Sequence, residues 1–193
     1  MVKNKKNNIF IISGPSGSGQ DSVINVLQKI MPIERVITTT TRPMRQGESQ
    51  KNPYYFINEK KFKKGIKENK FFEYAKEYND NYYGVTHKEI NRIKNSNKIG
   101  IWKIEYKGVM AAKKLIPGII AILISAPLNI LEKRIRERSK KLSEEFIKER
   151  MDYTKQFLKH ANIYDYKIIN EEDKLNNAVS KVQKIIKTVV DKP

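Results

Sequence analysis

The chain has 193 residues and a formal net charge of +18, with 39% hydrophobic and 31% charged residues, a balance that predicts one folded domain with a substantial core. It has no cysteine, which excludes disulfides, thiolate metal sites and a thiolate nucleophile. No apolar run approaches the roughly 20 residues that span a bilayer, and no cleavage pattern follows the basic N-terminus, so we expect a cytoplasmic protein with no membrane partner.

A buried strand is predicted at residues 9–12, followed by a glycine-rich turn and an amphipathic helix, so that strand and helix cover about residues 8–31. Met31-Pro32 ends this helix, and a second strand is predicted at 34–38. From about residue 38 to 97 short aromatic strands at 54–56 and 71–75 flank a Lys-rich helix near Glu59, which Asn58 caps. This alternation of short aromatic strands with a Lys-rich helix predicts an inserted, mostly antiparallel subdomain.

Alternating strands and helices return after residue 98. Strands are predicted at 99–104, 119–124 and 166–170, with helices after each: one begins at Pro127-Leu128, a second ends near Ala161, and a closing helix reaches Val190. Continuous apolar strands are typical of a parallel sheet that is covered on both faces. The pattern therefore predicts an α/β fold with a doubly wound parallel sheet as its core.

The turn after the first strand has the form of a phosphate-binding loop with its usual charge missing. Such a loop aims backbone N–H groups at one point, where the helix dipole adds positive potential. The usual pattern, G-x-x-x-x-G-K-[ST], places Lys on the β- and γ-phosphates and a hydroxyl on Mg²⁺. Here Gln20 holds the Lys position and Asp21 the hydroxyl position. The loop residues are Gly14, Pro15, Ser16, Gly17, Ser18, Gly19, Gln20, Asp21 and Ser22.

Two arginines follow the second strand. Arg42 and Arg45 are three residues apart, so their guanidinium groups can hold one phosphate monoester by forked hydrogen bonds.

Together these residues resemble the guanylate kinase family. That family has a G-P-S-G-x-G-K-[ST] loop, then S-x-T-T-R-x-x-R-x-G-E, a tyrosine, a glutamate and an N-Y-Y-G segment. The chain matches in the same order with its loop and with residues 38–48 (Thr-Thr-Thr-Thr-Arg-Pro-Met-Arg-Gln-Gly-Glu), Tyr54, Glu73 and residues 81–84 (Asn-Tyr-Tyr-Gly). The resemblance implies a parallel-sheet core (about 1–37, 98–133 and 162–193), a GMP-binding insertion (about 38–97) and a mobile lid (about 134–161) within a single domain.

The resemblance also implies how each substrate is held. The GMP phosphate would be bound by Arg42, Arg45, Tyr54 and Tyr83. Glu73 would accept guanine's N1–H and amino group, with Thr38 and Glu105 on the same side. Val85 stands where the family has a base-contacting hydroxyl, with Thr86 beside it as a candidate replacement, and one extra residue separates Glu73 from Asn81. For ATP, the lid arginines would be Arg134, Arg138 and Arg150, and Asn170 would lie near the adenine.

One further departure concerns charge. Where the family's strand ends in D-x-D, whose first Asp organises Mg²⁺, this chain has Lys103 and Glu105. The loop has thus lost a Lys and gained Asp21, while the neighbouring strand has lost an Asp and gained Lys103. We hypothesise that the two roles are exchanged, with Lys103 on the phosphates and Asp21 on Mg²⁺.

These observations favour an ATP:GMP phosphotransferase that uses ATP and Mg²⁺ and accepts GMP or dGMP, as a monomer or homodimer. An impaired pseudokinase or scaffold that only binds GMP or another nucleotide is the alternative. The basic charge allows a third, a nucleic-acid-binding protein, but basic residues are spread along the chain without an aromatic-interleaved RNA motif. We therefore interpret the charge as a solvated surface that attracts nucleotides.

Overall fold

The structure is a computed structural model that describes residues 8–77, 80–138 and 143–191. Ten strands and seven α-helices occur in these ranges. In chain order they are β1 (Ile9–Ser13), α1 (Gln20–Ile30), β2 (Ile33–Val36), β3 (Thr38–Thr40), β4 (Ser49–Gln50), β5 (Pro53–Phe56), α2 (Glu59–Lys67), β6 (Phe71–Lys76), β7 (Tyr82–Thr86), α3 (His87–Lys94), β8 (Ile99–Trp102), α4 (Tyr106–Leu115), β9 (Ile120–Ser125), α5 (Leu128–Arg138), α6 (Glu144–Lys159), β10 (Tyr166–Ile169) and α7 (Leu175–Val190).

The core is the predicted parallel sheet. Its five strands lie in the order β10-β9-β1-β8-β2, and every neighbouring pair is parallel. Strand β1 alternates between two hydrophobic clusters: Ile9 and Ile11 pack with α3, α4 and α6, whereas Phe10 and Ile12 pack with α1 and α7. Because side chains alternate across a strand, an unbroken apolar run is what a sheet with helices on both faces requires. The doubly wound sheet is confirmed.

The insertion forms a second sheet, and the expectation that it is mostly antiparallel is wrong. Its order is β4-β5-β3-β7-β6; β3 pairs antiparallel with β7 and β7 with β6, but β5 is parallel to both β3 and β4. Residues 41–52 separate β3 from β5. A connection of about a dozen residues is long enough to cross over and bring two strands back side by side in the same direction.

The two sheets meet where β2 passes into β3. The intervening Ile37 donates its N–H to Glu89 Oε1 at 2.7 Å, and the buried Glu89 in turn pairs with Arg92 on the same helix, α3. Helix α2 begins after Asn58, whose side chain accepts the Lys61 N–H at 2.8 Å as predicted. Among the helices that the structure describes, none combines the length and the hydropathy that a bilayer span requires.

Candidate active site

The glycine-rich turn joins β1 to α1 at the carboxyl edge of the parallel sheet. Gly17 and Gly19 both have left-handed backbone, with φ of +80° and +79°, and a Cβ on Gly19 would lie 2.4 Å from Asn170 Nδ2. Asn170, buried directly after β10, donates that amide to the Ser18 carbonyl at 2.9 Å. The loop is therefore fixed by the residue that directly follows β10.

Gln20 stands at the position where the usual loop has a lysine, and its side chain hydrogen-bonds back to the loop. Its Nε2 donates to the Gly14 carbonyl at 3.0 Å, while its Oε1 is buried and has no hydrogen-bond partner within the described parts of the chain. A neutral amide can brace the loop in this way, but it brings no charge to a phosphate.

A lysine on the neighbouring strand brings a positive charge to the loop. Lys103 follows β8, which pairs with β1, and its Nζ lies 2.6 Å from Asp21 Oδ2 in the first turn of α1. Burial alone would raise the pKa of Asp21, but Lys103, together with Arg35, more than offsets this and holds the pKa below its ordinary value. The two exchanged charges therefore meet at the loop, as one ion pair.

Arg35, on β2, is a third member of this group that sequence reasoning missed. Its Nη1 lies 3.2 Å from Asp21 Oδ1. An arginine within the short strand Ile-Glu-Arg-Val was the available signal, because β2 neighbours β8 and ends at the same edge. Arg35 and Lys103 line one cleft together with Thr38 and Tyr54, which were predicted on the GMP side.

The predicted GMP-phosphate residues are brought together by strand register. Thr38 is opposite Tyr54, and Thr40 is opposite Tyr83, so the Tyr54 and Tyr83 rings meet edge to face at 6.0 Å. The buried Arg42 lies over the Tyr54 ring at 5.2 Å.

Arg42 is already paired in this arrangement. Its Nη1 and Nη2 donate to the two Glu48 oxygens at 2.8 and 2.7 Å, and the Arg42 hydrogen bonds lower the pKa of Glu48 to about 2. The Arg45 backbone N–H also donates to Glu48, at 2.8 Å. Glu48 therefore fixes the first arginine and the backbone of the second.

A group of acidic side chains lies on β6 and before α4. Burial, followed by the charge of Glu77, raises the pKa of Glu73 to about 7. Glu77 has a raised pKa through its own burial and then Glu105, and its Oε2 has no hydrogen-bond partner among the described residues. Glu105 accepts a short hydrogen bond from the Tyr153 hydroxyl. The unpaired acceptor of Glu77 suits a ligand that brings N–H donors.

Packing and hydrogen bonding account for the side chains at two positions beside this acidic group. Val85 is fully buried in the cluster that includes Trp102, so an apolar side chain fits there. Thr86 does not take over the hydroxyl role that was considered for it, because its Oγ1 caps α3 by accepting the Glu89 N–H and the residue lines a cavity on the other face of the sheet.

The predicted lid arginines occupy different surroundings. Arg134 Nη1 donates to the carbonyls of Asn170 at 3.2 Å and Gly17 at 3.4 Å, so this residue touches the glycine loop itself. The Arg150 guanidinium lies 4.9 Å from the centre of the Phe146 ring, one turn earlier on α6. Arg138 ends α5, but its side chain lies outside the described residues.

Comparison with known proteins supplies the context for this geometry. A sequence model of the family "Guanylate kinase" matches residues 6–189. Guanylate kinase of Rickettsia felis is 39% identical over 187 residues, covering 96% of this chain and 95% of that one, and guanylate kinase of Rickettsia prowazekii is 39% identical over 180 residues, covering 92% and 89%. The crystal structure of guanylate kinase from Anaplasma phagocytophilum is similar with a TM-score of 0.76 at 22% identity, over 95% of this chain and 86% of that one, and supports the fold.

Proposed function

Because the chain belongs to the guanylate kinase family, we propose that it transfers the γ-phosphoryl group of ATP to GMP, giving ADP and GDP, with Lys103 in place of the loop lysine. The observation that carries the second part is the 2.6 Å contact between Lys103 Nζ and Asp21, which places a cation at the loop in spite of Gln20. Lysine is a point charge on a flexible stem, so it can serve the same phosphates from a different strand.

We assign the GMP side from the family resemblance, and the contacts among these residues support the assignment. Arg42, Arg45, Tyr54 and Tyr83 bind the GMP phosphate, with the Glu48 carboxylate holding Arg42 in place. Glu73 accepts the guanine N1–H and amino group, supported by Thr38 and Glu105. A carboxylate distinguishes guanine from adenine because adenine presents an acceptor at N1. Both GMP and dGMP fit these assignments, which include no contact to the ribose 2′-hydroxyl.

Catalysis consists of positioning and charge stabilisation. A phosphate oxygen of GMP attacks the γ-phosphorus in line with the departing ADP oxygen, so no protein nucleophile is needed. The loop backbone from Gly14 to Ser22 cradles the triphosphate of ATP, and Asn170 supports the loop. Residues 134–161 act as the lid, whose Arg134, Arg138 and Arg150 bring charge that counts most in the transition state.

The residues at the loop bear on how Mg²⁺ would be held. No cluster of three or more metal-binding side chains exists in the parts of the chain that the structure describes, so a metal site made of protein groups alone is not supported. Asp21, with one lysine and one arginine beside it, fits a Mg²⁺ ion that arrives with the triphosphate and takes most of its ligands from phosphate oxygens and water. The ion would neutralise charge on the transferring phosphates.

The test is to return the charges to the family's arrangement. We expect Lys103→Met to lower kcat about 10²- to 10³-fold, the usual effect of losing one charge-stabilising group. The triple variant Gln20→Lys, Asp21→Ser, Lys103→Asp should recover activity above that of Lys103→Met and of Gln20→Lys alone. The measurement is ADP release with ATP, Mg²⁺ and GMP in a coupled assay. Equal activity of wild type and Lys103→Met would contradict the role of Lys103.

One observation favours the alternative of a nucleotide-binding protein without turnover. Both of the cations best placed for phosphate, Lys103 and Arg42, are engaged by carboxylates. Such a protein would bind GMP by calorimetry and release no ADP, and the triple variant would gain activity that the wild type lacks. GMP-dependent release of ADP by the wild type, above the background without enzyme, excludes this alternative.

A further inference from the structure

Arg35 has no counterpart among the motifs described above, yet it lies at the centre of the exchanged charges. It is opposite Ile101 in the parallel pairing of β2 with β8, and Lys103 is two residues beyond Ile101. Side chains two apart on a strand point to the same face, so Arg35 and Lys103 both project from the α1 side of the sheet. They reach Asp21 from neighbouring strands.

The contacts of Arg35 run along one face of α1. Its Nη1 donates to Asp21 Oδ1 at 3.2 Å, Nη2 to Asn25 Oδ1 at 2.8 Å and Nε to Gln28 Oε1 at 3.2 Å. Residues spaced by four and three share a helix face. The guanidinium is therefore held at three points, and the Arg35 side chain is 21% exposed, whereas Lys103 reaches the same carboxylate with one ammonium group on a flexible stem.

Charge at this point has to be redistributed when ATP binds. Without ligand, Asp21 has two cations beside it. If Lys103 turns to the phosphates, as the proposed function requires, Arg35 is the cation that stays on Asp21 while the triphosphate and its Mg²⁺ enter. A buried carboxylate that loses its only cationic partner is costly, so a second cation held on Asp21 makes the departure of Lys103 easier.

We propose that Arg35 is the positioning residue that keeps Asp21 neutralised while Lys103 moves from the carboxylate to the triphosphate. This inference rests on the proposed function. Arg35 does not touch the phosphates in this role; it acts through Asp21 and sets how readily Lys103 is released. The competing explanation is that Arg35 only ties β2 to α1 through Asn25 and Gln28.

Two substitutions distinguish the charge of Arg35 from its structural role in tying β2 to α1. Arg35→Gln removes the charge and keeps hydrogen-bonding capacity toward Asn25 and Gln28. Arg35→Lys keeps the charge and loses most of those hydrogen bonds. If Arg35 neutralises Asp21, Arg35→Gln should weaken ATP binding at least tenfold with the GMP KM within twofold of wild type, and Arg35→Lys should stay within threefold for both.

The decisive comparison is a double-mutant cycle for ATP binding, measured by calorimetry without GMP. In an Asp21→Asn background there is no carboxylate to neutralise, so adding Arg35→Gln should change the ATP affinity by less than twofold. An equal loss in both backgrounds, or a larger loss in Arg35→Lys than in Arg35→Gln, would overturn the inference in favour of the structural tie. Lys29→Met, which removes one exposed charge from the far end of α1, is the matched control.

The two proposals fail in different ways. If the wild type binds ATP but transfers no phosphoryl group, the proposed function is refuted. The double-mutant cycle still tests Arg35 in that case, because it measures only ATP affinity. Normal transfer in the wild type together with unchanged ATP affinity in Arg35→Gln refutes the inference and leaves the proposed function standing. Melting temperatures of all variants show whether an affinity loss accompanies a loss of folding.

Discussion

Residue by residue, the site depends on where each charge is anchored. Moving lysine from the loop to the end of β8 preserves the sum of charges but changes what each charge must do before ligand binds. In the usual arrangement the lysine is on the loop and the acid on the neighbouring strand. Here the acid, Asp21, is on the loop side and Lys103 is on the strand side, and the two pair at 2.6 Å. An ion pair of this kind keeps both side chains oriented until a more highly charged partner competes for the lysine.

A pH dependence follows from Glu73. Burial and then Glu77 raise its pKa to about 7, so the carboxyl is mostly protonated at pH 6 and mostly ionised at pH 8. Only the ionised form can accept two guanine N–H donors, so the affinity for GMP should rise about tenfold between these pH values. Calorimetric titration with GMP at pH 6, 7 and 8 measures this directly.

The matched control is Glu68→Gln, which alters an exposed carboxylate of the same insertion. Its pH profile should follow the wild type. Glu73→Gln should bind GMP about 10- to 100-fold more weakly at pH 8, since a hydrogen bond to a charged group is worth about 1.5–3 kcal/mol, and its profile should lose the wild-type step. A Glu73→Gln profile identical to wild type would assign the step to another group.

Which site residues could be predicted depended on their distance along the chain. The loop, the Arg42–Arg45 pair and the aromatic strands are local patterns, and register then places Tyr54 and Tyr83 together. Arg35 on β2 pairs with Asp21 on α1, and Tyr153 reaches Glu105 from α6. Such contacts depend on strand order and helix placement, which no local pattern contains.

Among the secondary-structure elements, the parallel core was predictable and the insertion was only partly so. An apolar run bounded by turns specifies a buried strand in either direction, and alternation of strand with helix adds the direction. Strands β3 and β5 have no helix between them, and only the long connection of residues 41–52 makes them parallel. Sequence patterns record burial better than direction, which explains why the second sheet was expected to be mostly antiparallel.

Helix α2 allows a stability prediction that is separate from catalysis. Asn58 Oδ1 accepts the Lys61 N–H at 2.8 Å at the start of this helix. Replacing an N-cap Asn by Ala costs about 1 kcal/mol, because one helix N–H loses its acceptor. Urea unfolding of Asn58→Ala should show that loss with an unchanged m-value, and kcat with saturating ATP and GMP should stay within twofold of wild type.

Lys60→Ala is the control for Asn58→Ala, because it changes an exposed side chain in the first turn of the same helix without touching the cap. Its stability should stay within about 0.5 kcal/mol of wild type. Equal destabilisation by both substitutions would show that α2 responds to composition and not to the Asn58 hydrogen bond.

For the whole molecule, the feature that needs explanation is the net charge of +18. The described ion pairs occur on the insertion and on the core. On the insertion, Lys63 and Lys70 pair with glutamates. Around the core, acidic side chains pair with Lys113, Lys133 and Lys174. A positive field distributed in this way raises the local concentration of any polyanion and does not select one. Under the proposed function, the selective elements are the glycine loop and the buried Arg42 and Glu73 of the insertion.

This argument predicts how salt should act. Raising KCl from 50 to 500 mM shortens the Debye length from about 14 to about 4 Å, so long-range attraction is lost while contacts within the site persist. The KM values for ATP and GMP should rise about three- to tenfold, with kcat within twofold, and potassium glutamate should act like the chloride at equal ionic strength. RNA should be retained only at low salt and be displaced by saturating ATP and GMP. Retention with a steep salt dependence that the two nucleotides do not diminish would instead indicate a dedicated nucleic-acid surface.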